Sequence, residues 1–408
     1  MMKSIPFPLY GSLKDIRNAL KTQLDLLISN VILIGEVPCD AVTRDADDEV
    51  DKIDYDLRAK FFAERLVELG VDDYAADEAG NPVAIIKGSD PSKKPIVVAA
   101  HLDSFLRGTD EIHFSIGGDS ISGPGVLDNA VGAGAVLTLP ELMKGLSISF
   151  KSDLMLVGFA GQSARANQSG VRHFLEHLSV PVRGAVIVEG GELGRLNYYS
   201  ESMIRSDVFI DAYETGGMES KAGTNMLVVL NDIIDRILSI ELPQKPPTRI
   251  NIGRLRGGQK YGEPALSASM GLEVRSSRDD LVERISLKIE DIVSSVRYEY
   301  GVDARMERVG AARASSLGYA HPLVKSSIAI MENLDIEPTV FSSESELSAF
   351  LAKGIPALTI GLCRGQDYRL ETARASISSM ADGLAQLIGV ISAMDEGACD
   401  PEYVEGRL

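Results

Sequence analysis

Four side chains able to hold a cation follow apolar or glycine-rich stretches. His101 and Asp103 come directly after PIVVAA, Asp128 lies in GPGVLDNAVGAGAVL, and Glu189 ends the run GAVIVEGG. An imidazole with carboxylates is a donor set suited to zinc. The spacing His101-x-Asp103 fits a ligand and its supporting partner, because a metal-binding imidazole commonly donates its other ring nitrogen to a carboxylate. A lone histidine at a strand end is most often a satisfied structural residue. Three acids at comparable strand or loop ends point to a site instead, since burying them without a cation is costly.

The elements that position these residues follow from periodicity. SLKDIRNALKTQLDLLISNV and DLRAKFFAERLVELG repeat apolar residues every three or four positions and predict helices, the second ending at Gly70. PVAIIKG, PIVVAA, DLMLVGFA, GAVIVEGG and GIPALTIG predict strands, most of them apolar throughout, as buried strands are. GPGVLDNAVGAGAVLTLPELM predicts a loop entering a helix, and SSMADGLAQLIGVISAM a further helix. Alternating helices and strands make an α/β sheet covered by helices, in which ligands bind beyond the carboxyl ends of the strands. His101, Asp103, Asp128 and Glu189 all fall at that edge.

From residue 206 to 310 the order becomes strand, helix, strand, strand, helix, strand, a βαββαβ unit with Leu281, Ile285, Ile289, Ile292, Val293 and Val296 on one helical face. This is a second domain inserted into a discontinuous first one, 1–205 with 311–408. Its edge strands make a homodimer plausible.

With 408 residues, a net charge of −18 and a pI near 4.8, the chain is too long for one core and too acidic for nucleic-acid binding. The apolar runs fall short of a membrane span, and MMKSIPFPLYGS lacks the features of a signal peptide, so a cytoplasmic protein with no membrane partner is expected. Cys39, Cys363 and Cys399 are too scattered for a disulfide framework or a thiolate zinc site. No GxGxxG follows a strand, which speaks against dinucleotide binding.

The segments GNPVAIIKG, VVAAHLDSF, GPGVLDNAVGAGAVL, GAVIVEGG, INIGRLRGG and GLEVRSS resemble, in order, the zinc exopeptidase and amidohydrolase family of aminoacylases, tripeptidase T, glutamate carboxypeptidases and succinyl-diaminopimelate desuccinylase. The resemblance implies a catalytic α/β domain for two zinc ions and an inserted ferredoxin-like lid that binds substrate and often dimerises. It assigns His101 and Glu189 to the first metal, Asp128 to a bridge between both metals, and Asp103 to the orientation of His101. Asn225 and Arg275 match lid positions that contact the substrate carboxylate; helix capping and a surface strand position are the plain alternatives for them. The DNxxG form at Asp128 is also similar to related zinc aminopeptidases.

Other positions depart from the family. The family's general base and second-metal glutamates become Gln162 and Ser163, its last histidine ligand becomes Arg369, and its lid histidine becomes Met218. An amide accepts no proton from the attacking water, and a guanidinium binds no cation. These changes imply a degenerate second site, with zero or one zinc where the family has two. In that reading Arg369 stands in the second metal's place beside Tyr368. Alternatively Glu344 or Glu346, in FSSESELSAF, repairs the site, although solvation of a helix face is the expected role of both. Three functions follow: an impaired or inactive peptidase homologue that binds peptide-like or N-acyl amino acid ligands, an active single-zinc hydrolase with a base from elsewhere, or a scaffold subunit paired with an active relative.

Overall fold

The computed structural model describes residues 12–38, 57–71, 73–104, 112–161, 168–212, 224–343, 345–368 and 370–400. Gln162, Ser163, Met218, Glu344, Arg369 and Cys39 lie outside the described residues. The chain divides into two compact units, Met1–Tyr199 with Ser316–Leu408, and Ser200–Ser315.

The larger unit is built on a seven-stranded sheet in the order Tyr74–Ala76, Pro82–Ile86, Leu154–Phe159, Ile96–His101, Gly184–Glu189, Ala357–Gly361, Leu196–Asn197. Its four central strands run parallel. Every residue in them is buried, which is why they read as unbroken apolar runs rather than alternating ones. The two-residue alternation survives in which core each residue joins. Val98 and Ala100 pack on one side with Val186, Val188 and Ile360, and Val97 and Ala99 pack on the other with Val157, Phe159, Ala185 and Ile187.

The segment read as one helix from Ser12 to Val31 is two helices, Leu13–Leu20 and Asp25–Glu36. The break falls at Lys21–Leu24, where the Thr22 hydroxyl bonds back to the Ala19 carbonyl at 2.8 Å and competes with continuation. One helix, Ile377–Ala398, is long and apolar enough to cross a membrane, but its most apolar stretch is 83% buried inside the unit, so it serves as a core helix. Cys363 and Cys399 are free and buried, and burial pushes each thiol up to about 12, leaving both inert.

The smaller unit has the expected βαββαβ order, and its antiparallel sheet runs Thr248–Gly257, Ser267–Ser276, Ser202–Asp211, Asp303–Ala312. Helices Met226–Leu238 and Asp279–Tyr300 supply Val229, Ile233 and Ile237, and Ile285, Ile289, Val293 and Val296, to one core with the strands. The longer helix opens on Asp279 and Asp280 and stops at Gly301, whose φ of +60° suits glycine.

One buried cation ties the peripheral helices to the sheet edge. Arg58, at the start of helix Leu57–Glu68, is 2% exposed and donates to the carbonyls of Val37, Gly35 and Leu102 at 2.8, 3.1 and 3.1 Å. The last of these lies between His101 and Asp103. Arg58→Ala leaves those carbonyls unsatisfied, and denaturant titration is expected to show a loss of about 3 kcal/mol or more in unfolding free energy.

Candidate active site

His101 is the last residue of its strand, and Glu189 is the last of the neighbouring one. The two strands pair with Ala99 opposite Ile187, so two residues further on His101 and Glu189 are level and point to the same side of the sheet. Asp128 arrives from the loop before helix Val131–Gly145 and is also buried. One ligand atom from each of the three lies within 4.8 Å of the other two. The imidazole Nε2 is 3.1 Å from Asp128 Oδ1 and 3.7 Å from Glu189 Oε2.

Asp103 supports His101, but through a different atom from the one expected. The imidazole Nδ1 meets the backbone carbonyl of Asp103 at 3.0 Å, while the Asp103 carboxylate accepts the Gly161 N–H at 2.9 Å. The chain turns immediately after the strand and brings the carbonyl under the ring. The carboxylate is thereby released to pin Gly161, just after strand Leu154–Phe159.

Asn129 went unnoticed in the sequence although it sits in the DN pair. Its side-chain amide donates to the Val188 carbonyl at 2.9 Å and accepts from the Gly190 N–H at 2.7 Å, gripping the backbone on both sides of Glu189. The residue following one acid thus fixes the next strand's acid. Gly132 makes this approach feasible, since a Cβ there would stand 2.2 Å from Asn129 Oδ1 and 2.5 Å from the Val188 carbonyl oxygen. At Gly191 a Cβ would meet the Tyr368 ring, which lies over this glycine.

Arg369 itself is outside the described residues, so its expected place in the second metal position is not part of this geometry. The guanidinium set against Glu189 is that of Arg195, with Nη1 3.8 Å from Glu189 Oε2 and Nη2 2.5 Å from Glu192 Oε2. It lies against the rings of Phe341 and Tyr368, 5.2 and 5.8 Å from their centroids.

Glu346 corrects a second expectation. It is 1% exposed, so it solvates no helix face. Neither carboxylate oxygen has a hydrogen-bond partner among the described residues. Burial, reinforced by the charges of Glu189 and Asp103 and opposed by that of His101, pushes its carboxyl up to about 7. The sequence signal for this was the apolar LSAFLA that follows it, which marks a helix packed inward.

In the smaller unit, Asn225 is the N-cap of helix Met226–Leu238, its Oδ1 accepting from Leu227 N at 3.0 Å and Ala265 N at 3.3 Å. Arg275 is 6% exposed, so it is no surface residue; it forks onto Glu273, two residues earlier in strand Ser267–Ser276.

The donor set fits one metal ion. An imidazole and two carboxylates converge, buried, and the buried Glu346 carboxylate has no hydrogen-bond partner among the described residues. His101 would bind through Nε2, leaving Nδ1 on the Asp103 carbonyl.

Comparison with known proteins supports the resemblance drawn from the motifs. The model of peptidase family M28 matches residues 81–175, which include His101, Asp103, Asp128 and Gln162. No curated protein matches the chain by sequence. Among solved structures the chain is similar to the dipeptidase Dug1p of Saccharomyces cerevisiae (TM-score 0.72, 14% identity, 95% of this chain and 99% of that one). It is also similar to a tripeptidase of Staphylococcus aureus (TM-score 0.70, 17% identity, 91% and 98%). A third is a dinuclear metal-binding peptidase of the M20 family from Bacillus subtilis (TM-score 0.59, 13% identity, 92% and 98%). The fold is that of these peptidases, each covered over nearly its full length.

Two outcomes follow from this geometry. Asn129→Ala is expected to weaken zinc binding by about 10–100-fold while leaving the protein folded, as read by zinc competition and by circular dichroism. Burial lowers the pKa of His101, but hydrogen bonds and charge from Asp128 and Glu189 outweigh it and hold the imidazolium well above its ordinary range. That raised pKa gives the metal-free protein stability that is complete below the unfolded histidine value and is lost as pH rises through the folded one. Zinc must displace this proton, so calorimetry near neutral pH in buffers of different ionisation heat should register proton release, and zinc affinity should rise with pH.

Proposed function

We propose that this chain is a single-metal peptidase or amidohydrolase of the zinc exopeptidase kind, acting on peptide-like or N-acyl amino acid substrates more slowly than a two-metal relative. The observation that carries this reading is the buried convergence of His101, Asp128 and Glu189 at the carboxyl edge of the sheet. Three protein ligands and an open position are the arrangement of a catalytic zinc. A zinc ion held there would polarise a substrate carbonyl and favour attack by water.

The chain's own residues shape the rest. Asp103 and Asn129 fix the imidazole and Glu189 so that little reorganisation accompanies catalysis. Replacement of the second-site residues by Ser163 and Arg369 supports one metal rather than two. Cytoplasmic location and pairing of two copies through the inserted domain belong to the same proposal.

Elemental analysis of protein purified without chelator, with hydrolysis assays on dipeptides and N-acyl amino acids, tests it. One zinc per chain, with turnover abolished by chelator and restored by zinc, is expected. Two zinc ions per chain, or a zinc-loaded protein that hydrolyses none of the panel, would overturn it.

A further inference from the structure

Among the described residues, Glu346 is a buried carboxylate at this edge that has no hydrogen-bond partner. Its position follows from two anchors. Ser345 is tied to the central sheet through its hydroxyl, 3.0 Å from that of Thr359 in strand Ala357–Gly361. Gln168 donates to the Ser345 carbonyl at 3.1 Å and accepts from the Ser348 hydroxyl at 3.2 Å, holding the chain on both sides of Glu346. Next to Gln168, the Ser169 N–H donates to the Gly161 carbonyl at 3.1 Å, and the same Gly161 is pinned by Asp103. The turn bearing Glu346 is therefore tied, through Gln168 and Ser169, to Gly161, the residue that precedes Gln162 in the sequence.

Helix Leu347–Ala352 then buries Leu347 and Phe350 in the core on the side of the sheet that His101 and Glu189 share with Val97, Ala99, Ala185 and Ile187. Thr359, to which Ser345 is bonded, pairs with Ile187, two residues ahead of Glu189 on the neighbouring strand, so the turn bearing Glu346 lies beside the strand that carries Glu189. Glu346 is nevertheless not one of the three groups that close to within 4.8 Å. A carboxylate buried in this way with no partner is a costly feature unless something binds against it.

We propose that Glu346 is the proton acceptor of this site, supplying from the turn ahead of helix Leu347–Ala352 what Gln162 cannot. The inference rests on the hydrolase reading above. In the reaction, a water adds its oxygen to the amide carbonyl carbon and gives one proton to the Glu346 carboxylate. Glu346 then passes that proton to the leaving nitrogen as the C–N bond breaks. The products are a carboxylic acid and an amine, one water is consumed, and Glu346 returns to its ionised form. As a carboxylate it is chemically fit for the step, whereas the glutamine amide is not.

Glu346→Gln keeps the side chain's size and removes the acceptor. In the zinc-loaded full-length protein it is expected to lower kcat by about 10²–10⁴-fold while leaving KM and zinc affinity within about threefold. Glu346→Asp should retain part of the activity. A readout independent of turnover is the affinity for a phosphinic dipeptide, whose tetrahedral oxygens imitate the water adduct. Glu346→Ala should weaken it by about tenfold or more, while Glu346→Gln, still able to hydrogen-bond, should bind it nearly as well as the parent protein. Unchanged kcat in Glu346→Gln, unchanged phosphinate affinity in Glu346→Ala, or a more than tenfold loss of zinc affinity in Glu346→Gln would each overturn the assignment. If the parent protein binds zinc but turns over no substrate, the hydrolase reading fails, and the phosphinate affinities still decide whether Glu346 faces the reacting position.

Discussion

A carboxylate taken out of water must be given a proton, a cation or several hydrogen bonds, because the desolvation cost otherwise amounts to several kcal/mol. The larger unit buries Asp103, Asp128, Glu189 and Glu346 at one end of its sheet, each less than a tenth exposed. Only some of that cost is met by the protein. Asp103 takes a backbone amide, Asp128 and Glu189 share His101, Glu189 also faces Arg195, and Glu346 takes nothing among the described residues. The remainder is what makes this edge a site rather than a core. A divalent cation entering it would compete with the His101 proton for Asp128 and Glu189 and with Arg195 for Glu189.

The geometry of the site depends on backbone as much as on side chains. Parallel strands in matched register place His101 and Glu189 level, but Asp128 comes from a loop and needs a separate restraint. Asn129 provides it by bonding to the two peptide groups that flank Glu189, and Gly132 leaves room for the helix to come close enough. Arg58 does the corresponding work behind His101 by holding the Leu102 carbonyl. The ligands are thus set by hydrogen bonds to main chain, which leaves their own donor atoms free.

The ligand positions were legible in the sequence because buried parallel strands are uniform apolar runs and their first polar residue marks the carboxyl edge: His101 after PIVVAA, Glu189 closing GAVIVE. The inserted unit was legible because its periodicity switches between two and 3.6 residues in a recognisable order. Less accessible were features that depend on contacts between distant segments. The break at Lys21–Leu24 hides in a continuous helical pattern, since Thr22 is tolerated inside helices and its bond to Ala19 is a local choice. The role of the Asp103 carbonyl could not be read from residue type at all. Glu346 was misplaced because a glutamate before a short helix is ordinarily solvated; what buries it is the packing of Leu347 and Phe350 against a different part of the chain.

The same sheet edge explains how one acid can stand in for another. Neighbouring parallel strands lie about 5 Å apart, and Leu154–Phe159 and Ala357–Gly361 are three places apart in the sheet, so their connections meet only where a separate tie joins them. A group lacking after Leu154–Phe159 can be supplied from the turn ahead of helix Leu347–Ala352, provided that this turn is pinned to the first segment. Gln168, Ser345 and Ser348 form that pin. A second metal position is harder to restore by this route, because it needs several ligands to change together, whereas proton transfer needs one carboxylate in reach. In the proposed reading, Ser163 and Arg369 leave no second metal position, whereas Glu346 takes over the one function that the Gln162 amide cannot perform.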